Sequence, residues 1–356
     1  MPETLTAIHA ARPTIAVDGE DTAFLAAGLL GLLVHETACG LSRCEAVFGN
    51  WGNKDGRVGF LFFDRDVLEF GKPFAIKVGD TTLFDGRITA LEAHFPEGRP
   101  PEIAVLAEDR LQDLRMTRRT RTFADIADAA VFSQIASDHG LTPQIDVSGP
   151  THKVLAQVNQ SDLAFLRDRA RAIGAEVWVE GRTLRAQPRT ARAAASPVRL
   201  RYGGQLREFQ VLADLAHQRT SVTVGGWDVS GKSALSVEAT SSAIQSELGN
   251  DESGVSILGD TIGDRKDAVA HGVPVTHEEA RARAEACFRT FARRFVTGRG
   301  VAQADGTLRV GVSADFEGLG PLFDGKYYIA EVRHLFDGVR GLRTEFAAER
   351  PGIGRA

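Results

Sequence analysis

The feature that most constrains this chain is a four-residue motif that opens two similar segments. Leu-Phe-Asp-Gly opens the segment Leu83–Arg110 and opens Leu322–Arg350 again. In the second segment, alternating β-prone residues flank Asp337-Gly338, a dipeptide typical of hairpin turns. Glycines precede both copies at similar spacing: Gly71 and Gly79 in the first, Gly311 and Gly318 in the second. The repeat predicts one β-unit in each half of the chain.

Length and charge limit the classes of protein that fit. The 356 residues suffice for two or three domains, each with its own core. A net charge of −5 argues against a dedicated nucleic-acid binder, so no sequence-specific nucleic-acid partner is expected. Three cysteines show no zinc-type spacing. The longest apolar run, Phe24–Val34, is too short to span a bilayer, so no stable membrane insertion is expected.

Residues 13–115 show the pattern of a small β-domain. Short strand-like runs alternate with glycine-containing turns and no helical period interrupts them, which predicts a sandwich or small barrel. The predicted strands are Thr14–Val17, Leu29–Thr37, Arg43–Phe48, Gly59–Phe63, Pro73–Val78, Thr81–Phe84, Arg87–Ala93 and Ile103–Ala107. Residues 1–12 are polar and alanine-rich, which predicts a flexible N-terminal arm.

An α+β pattern occupies residues 116–195. It begins at a basic stretch, Arg115 to Arg121, which we interpret as a solvated linker. Helices are predicted over Asp128–His139 and over the segment from Leu163 to Gly174, where glycine ends the second. A hairpin over Glu176–Gln187 follows, with Trp178 on the face opposite its apolar positions, where core packing is favoured over a partner contact.

The second half returns to strands, with an insertion. Leu206–Leu212 and Ser221–Val224 are predicted strands, whereas the glycine- and serine-rich Ser230–Pro274 indicates an irregular excursion. Thr276 and Glu279 form a capping box for a helix that is expected to end at Gly298. Its aromatic stripe is predicted to lie in the core or at a subunit contact: Phe288, Phe291 and Phe295.

One motif match points to a different class of protein. Gly226–Ser233 fits GxxxxGK[ST], the phosphate-binding loop. That loop requires a buried parallel strand before it and a helix after it, and the sequence favours neither. The nine histidines show no metal-ligand spacing, and the corresponding positions of His94 and His334 in the two repeats favour a structural role. No catalytic residue, metal ligand or cofactor site is predicted.

Three segments resemble the phage late-control D proteins, the baseplate hubs of contractile tails, and the related part of VgrG proteins. The Ser-Asp-x-x-Phe-Leu helix with its glycine and hairpin carries the resemblance, as does Phe-Asp-Gly-Lys-Tyr-Tyr near the C-terminus. The segments are residues 158–187, 206–232 and 323–346. The resemblance covers roughly residues 13–350, which is most of the chain by the repeat argument.

The resemblance implies a mainly β fold with an α+β insertion: two homologous tube-type β-barrels, a middle α+β domain and a helical insertion. The first barrel would take residues 13–115 and the second residues 196–229 and 299–356, with the inserted segment at 230–298. Candidate structural or interface residues are Phe84, Asp85, Gly86, Trp178, Phe288, Phe291, Phe295, Phe323, Asp324, Gly325, Tyr327 and Tyr328.

The function implied is that of a structural baseplate hub without catalysis. Such a hub would be a homotrimer that adapts the sixfold tail tube to a threefold spike, made in the bacterial cytoplasm and built into the particle. Expected partners are the tail tube protein, a separate spike protein, and baseplate wedge and tape-measure proteins. The alternatives are the hub of a non-contractile tail, a P-loop nucleotide hydrolase and a cell-wall hydrolase carried by the particle.

Overall fold

The computed structural model of the protein describes residues 12–54, 56–195, 197–304 and 306–355. All but the last residue of the predicted N-terminal arm lies outside this range. Among the described residues, no helix is both long and apolar enough to cross a bilayer. The chain forms two β-rich units, a middle α+β unit and an insert.

The first unit, residues 13–115, is built mainly from antiparallel strands whose side chains alternate between core and solvent. In β4, Cys44, Ala46 and Phe48 are buried while the residues between them are not. These buried faces form one apolar core. The elements are β1 (Thr14–Val17), β2 (Glu20–Asp21), α1 (Ala23–Gly28), β3 (Leu29–Thr37), β4 (Arg43–Gly49), β5 (Trp51–Lys54), β6 (Arg57–Phe60), β7 (Pro73–Val78), β8 (Thr81–His94), β9 (Glu102–Glu108) and α2 (Leu111–Arg115).

The middle unit, residues 116–195, packs two helices against two small sheets around its own core. Ser161 caps α4 by accepting a hydrogen bond from the amide of Ala164, and Gly174 ends that helix at φ 70°. The elements are β10 (Arg118–Ala127), α3 (Asp128–Asp138), β11 (Thr142–Ile145), β12 (Thr151–Ser161), α4 (Asp162–Ile173), β13 (Ala175–Glu180), β14 (Thr183–Pro188) and α5 (Arg189–Arg192).

The basic stretch is part of this fold, so the interpretation as a solvated linker was wrong. Arg118 begins β10, which pairs antiparallel with β12. Arg121 donates to the buried Asp162 at 2.8 Å, and Arg119 lies 3.1 Å from the same carboxylate. Burial alone would raise the pKa of Asp162, but hydrogen bonds from His139 and Gln157 and the arginine charges outweigh it and lower the pKa.

The second unit repeats the first unit in strand order, and a compact insert, residues 214–295, interrupts it. The strands of the second unit are β15 (Val198–Arg201), β16 (Leu206–Ala213), β21 (Val296–Gln303), β22 (Ser313–Glu317), β23 (Gly325–Asp337), β24 (Gly341–Arg350) and β25 (Gly352–Ile353). The insert contains β17 (Ser221–Asp228), β18 (Ser233–Ala239), β19 (Glu252–Ser253), α6 (Gly254–Thr261), β20 (Lys266–Val269) and α7 (His277–Ala292), with short 3-10 turns at Ser241–Ala243 and Gln245–Glu247.

The insert is more regular than the sequence predicted. Two segments expected to be irregular, β18 and β20, form a sheet with β17 in the order β18-β17-β20, and α7 packs against it over a separate apolar core. The predicted strand Ser221–Val224 belongs to this sheet rather than to the second unit. The long helix ends at Ala292, not at Gly298, because Gly298 lies within β21.

One large sheet joins the two units, in the order β16-β21-β24-β23-β3-β4-β9-β8-β7-β1-β2. The junction is the antiparallel pair of β3 from the first unit and β23 from the second. The predicted hairpin of β23 and β24 is present, and its Asp337 carboxylate accepts hydrogen bonds from the Val339 and Arg340 amides. Those bonds, with one from Arg343, lower the pKa of Asp337 to about 2.

Two strand predictions in the first unit need correction. Thr81–Phe84 and Arg87–Ala93 are one continuous strand, β8, so Asp85-Gly86 lies within a strand and not at a break. The predicted strand Gly59–Phe63 is shifted, since β6 ends at Phe60. The first error came from treating Gly86 as the end of a strand, whereas Gly86 is a strand residue that the Glu108 carbonyl and the Phe84 ring approach closely.

Candidate assembly surface

The two units have the same pair of backbone hydrogen bonds at the same place. In the first unit the Gly71 amide donates to Ile88 O and the Ile88 amide donates to Lys72 O, at 2.8 and 3.0 Å. In the second unit Gly311 and Val312 make the same two bonds with Ile329, at 2.9 and 3.1 Å. A register shift follows at once in both strands, after Ile88 in β8 and after Ile329 in β23. Ile88 and Ile329 are therefore equivalent.

This equivalence corrects two interpretations of the repeat. Leu83 corresponds to Asp324, so the two Leu-Phe-Asp-Gly motifs are out of structural register by two residues, although they lie in equivalent regions. His94 corresponds to Leu335 and not to His334. A shift of one residue changes the face of a strand. His334 is buried and contacts Thr344, whereas His94 is exposed beside Glu102.

The equivalent strands differ in what covers one edge. Beyond Ile329, the edge of β23 pairs with β3, from Glu331↔Thr37 to Asp337↔Gly31. Beyond Ile88, the same edge of β8 pairs with nothing in the described part of the chain. An uncovered strand edge presents free amides and carbonyls to any strand that approaches it.

A second open edge lies at the other end of the large sheet. β16 pairs with β21 on one side and has no strand on the other among the described residues. β16 occupies the place in the second unit that β3 occupies in the first, and both strands have a register shift near their start, after Leu206 and after Leu29. Leu212, on this edge strand, is 59% exposed.

Charged groups line the polar face where the units join. His35 Nε2 lies 2.8 Å from Glu331 Oε1, and Arg43 Nε donates to His35 Nδ1 at 3.1 Å. Burial lowers the pKa of His35 despite the hydrogen bond to Glu331. The same face continues across the sheet into a concave cavity of about 280 Å³, lined by residues that include Glu208, Arg299 and Glu345.

An aromatic cluster lies beside the open edge of β8. Trp51 and Phe60 pack edge to face at 5.1 Å between ring centroids, Phe60 stacks on Phe63 at 4.7 Å, and Phe95 lies 6.2 Å from Phe60. Phe95 is 62% exposed, whereas its equivalent in the second unit, Phe336, is 5% exposed because β3 covers it. Exposed clusters of this kind mark surfaces that a partner covers.

The candidate residues of the first motif lie within the first unit. Phe84 is buried in its core and Gly86 faces Phe74 across the sheet. Asp85 is exposed on the same strand, opposite Ala75. The open edge of β8 begins five residues after Asp85, at Ala90.

The candidates near the C-terminus mostly lie inside the second unit. Tyr327 is buried, and its hydroxyl donates to Phe323 O at 2.9 Å. Phe323 is half-buried at the edge of the same core. Asp324 is exposed and accepts a hydrogen bond from the Leu319 amide at 2.6 Å, and Gly325 adopts φ 122° beside Arg350.

Tyr328 takes part in the contact between the second unit and the middle unit, and Trp178 lies within the middle unit. The Tyr328 hydroxyl donates to Glu176, and the Arg189 guanidinium lies 3.7 Å from the centre of the tyrosine ring. Trp178 is half-buried under Arg192, whose guanidinium is 4.0 Å from the indole. Because Arg192 belongs to α5, Trp178 contacts that helix. Arg192 also binds Glu176 at 2.9 Å.

The aromatic residues at the C-terminal end of α7 divide between two cores. Phe288 is fully buried in the core of the insert, and Phe291 is half-buried at its margin beneath Arg219. Phe295 lies beyond the helix and is buried in the core of the second unit. The stripe is thus interrupted where the helix ends.

The phosphate-loop match is the tip of a β-hairpin. β17 runs to Asp228 and β18 starts at Ser233, so a strand follows the motif where a helix is required. Asp228 Oδ1 accepts hydrogen bonds from the amides of Ser230 and Gly231, both at 2.8 Å. Two of the amides that would hold a phosphate are therefore occupied by a carboxylate of the chain.

Sequence reasoning did not identify the open edges, Ala90–Phe95 and Glu208–Ala213. Parts of both segments, Leu91–Phe95 and Glu208–Val211, alternate polar and apolar residues as any half-buried strand does, so the pattern does not show whether a neighbour is present. Aligning the two units on Gly71 and Gly311, instead of on the Leu-Phe-Asp-Gly motif, would have come within one residue of the correct equivalence.

Comparison with known proteins places the chain in a family and defines its fold. Residues 54–337 match the family described as the Alg8 N-terminal domain, and the chain belongs to that family. No curated protein matches it.

Solved structures of tail proteins share the architecture. The 43 kDa tail protein of prophage MuSo2 from Shewanella oneidensis is similar with a TM-score of 0.70 at 12% identity, over 96% of this chain and 98% of that one. A tail protein from Neisseria meningitidis MC58 gives 0.66 at 11% identity, over 96% and 97%. At these identities the likeness establishes the fold, which is mainly β and of the tail-protein type.

A third neighbour is the E. coli c3393 protein, described as a component of the type VI secretion system with structural similarity to the T4 tail proteins gp27 and gp5. It gives a TM-score of 0.55 at 13% identity, over 92% of this chain and 76% of that one.

Proposed function

We propose that this protein is a structural component of a phage-type tail: a homotrimeric baseplate hub that joins a sixfold tail tube to a threefold spike. The observation that carries the proposal is the duplication, because a chain with two equivalent β-units offers six such units when three copies form a ring. The similar structures are described as phage tail and type VI secretion proteins, and this supports the proposal.

The parts of the chain take the following roles in this hub. The first and second units are the two tube-type barrels, and the middle unit and insert hold them at a fixed relation through contacts such as Tyr328–Glu176. The buried candidate aromatic residues serve as the cores of these parts. The partners are a tail tube protein, a separate spike protein, and wedge and tape-measure proteins, as in hubs of the late-control D type of contractile tails.

The function is mechanical, so loss of the chain should stop assembly rather than a reaction. Deleting its gene from a particle-producing strain should leave no complete tails in electron micrographs, and the wild-type gene should restore them. Lys232→Ala should restore them equally well, since Lys232 lies at φ 50° in a hairpin turn. Complete tails without the chain, or loss of assembly together with abolished ATP binding in Lys232→Ala, would overturn the proposal.

A further inference from the structure

We propose that β16 of one copy of this chain pairs with the open edge of β8 in a second copy, in the register that β3 and β23 use within the chain. The inference rests on the proposed ring and identifies its subunit contact. The internal junction is the template, because β3 and β16 are equivalent strands and so are β23 and β8. Each chain then provides both sides of the contact: β16, which we call the donor edge, and the open edge of β8, which we call the acceptor edge.

The acceptor positions follow from the bulge that the two units share. Counting from Ile88 and Ile329, Ala93 takes the place of His334 and Phe95 takes the place of Phe336. In the internal junction, His334 pairs with Val34 and Phe336 pairs with Leu32.

The donor positions follow in the same way from the shifts after Leu29 and Leu206. Val34 pairs with Cys44 in β4, and Val211 pairs with Gly298 in β21. Cys44 and Gly298 are themselves equivalent, because they face Ala107 and Ala348 in equivalent strands. Val211 therefore takes the place of Val34, and Phe209 takes the place of Leu32.

Together these equivalences set the contact between subunits residue by residue. Ala93 lies opposite Val211, and Phe95 lies opposite Phe209. On the other face, Glu92 meets Leu212 and His94 meets Gln210, so no like charges face each other. Phe95, 62% exposed in the single chain, becomes part of an aromatic pair with a neighbour, as Phe336 is covered within the chain.

The partner is a second copy and not the same chain, because β16 and β8 are separated in the sheet by β21, β24, β23, β3, β4 and β9. An interface with different surfaces on its two sides generates a ring if the rotation closes and a filament if it does not. The proposed threefold ring requires closure after three copies.

Cysteine cross-linking within assembled particles tests the register. Chains with Cys39→Ser and Cys287→Ser would carry either Ala93→Cys or Val211→Cys, and both kinds would be expressed together so that a 93–211 disulfide forms only between chains. Opposed strand residues have the Cα separation that a disulfide needs. We expect a covalent dimer after mild oxidation, and a covalent trimer when one chain carries both substitutions.

The matched control replaces Val211→Cys with Leu212→Cys, which points to the other face of the strand. Leu212→Cys should give a yield of disulfide with Ala93→Cys that is about tenfold lower than the yield with Val211→Cys. Trimers by native mass in which Ala93→Cys links to Leu212→Cys instead of Val211→Cys would overturn the register while leaving the hub intact. Covalent species longer than three chains would retain the strand pairing and overturn the threefold hub. Particles that contain the chain but show no link would overturn the pairing itself.

Discussion

β23 and β8 are equivalent strands of the two units, and they lie in different surroundings. Each is held by two backbone hydrogen bonds at a left-handed glycine, each then bulges, and each pairs with a long return strand. β23 is covered by β3 on its other edge, whereas β8 is open there among the described residues. The comparison teaches that, in a duplicated fold, a strand edge of one unit can be paired within the chain while the equivalent edge of the other unit is left for a neighbouring subunit to pair.

The side chains of the two strands differ as well. The covered strand has Glu331 and Arg333 in an ionic cluster with His35, while the open strand has Ala90 and Glu92 in the equivalent places. The ionic cluster adds specificity to a contact that forms once, within a chain. The open edge relies on backbone groups and on Phe95.

The largest difference in stability loss is expected between alanine variants of the two equivalent phenylalanines. Phe336→Ala should lower the free energy of unfolding by about 3 kcal/mol, because the ring is buried in the core of the first unit. Phe95→Ala should change it by less than about 0.5 kcal/mol in the single chain. Denaturant unfolding of dilute protein measures both, and equal effects would contradict the claim that one edge is covered and the other open.

A smaller contrast is expected between the two left-handed glycines. Gly71→Ala introduces only backbone strain, about 1 kcal/mol, since no atom lies near its missing Cβ. Gly311→Ala should cost about 3 kcal/mol, because the new Cβ would displace Arg192, which binds Glu176 and stacks on Trp178. Thermal unfolding checks this. Adding Arg192→Ala to both variants should reduce the difference between their losses of stability. An unchanged difference would exclude displacement of Arg192 as its cause.

The smallest effect concerns pH at the internal junction. Burial lowers the pKa of His35, so the unfolded chain takes up the proton first as pH falls through about 6.5, and stability is lost in that range. His35→Leu introduces the residue found at the equivalent position, Leu212, and removes this dependence. Between about pH 7.5 and 5.5 the wild type should lose up to about 1 kcal/mol relative to the variant. If the melting temperatures of the wild type and of His35→Leu changed in parallel with pH, His35 would not be the cause of the pH dependence.

The sequence predicted elements whose signals are local. The hairpin of β23 and β24 was found because Asp337 and its neighbours form the turn, and α4 because Ser161 caps it and Gly174 ends it. The strand β10 was missed because its arginines are ordered by Asp162, which lies 41 residues further along the chain from Arg121. No local pattern carries that information.

The candidate surface could be predicted only in part. The repeat correctly indicated two β-units, but Ile88 lies 17 residues after Gly71 whereas Ile329 lies 18 residues after Gly311, so simple spacing paired His94 with His334 wrongly. Whether an edge is covered depends on contacts with distant segments. β3 reaches β23 across almost three hundred residues, as the 296-residue separation of His35 and Glu331 shows.

The central claim is that the open edge of β8 and the open edge of β16 complete one another in a ring of three chains. Electron cryomicroscopy of an assembled particle tests it most directly. The account predicts a hub layer with three copies, first and second units alternating at rotations of about sixty degrees, and a continuous β16–β8 pair at every subunit contact. A layer with six copies, or one in which these two edges remain apart, would contradict it.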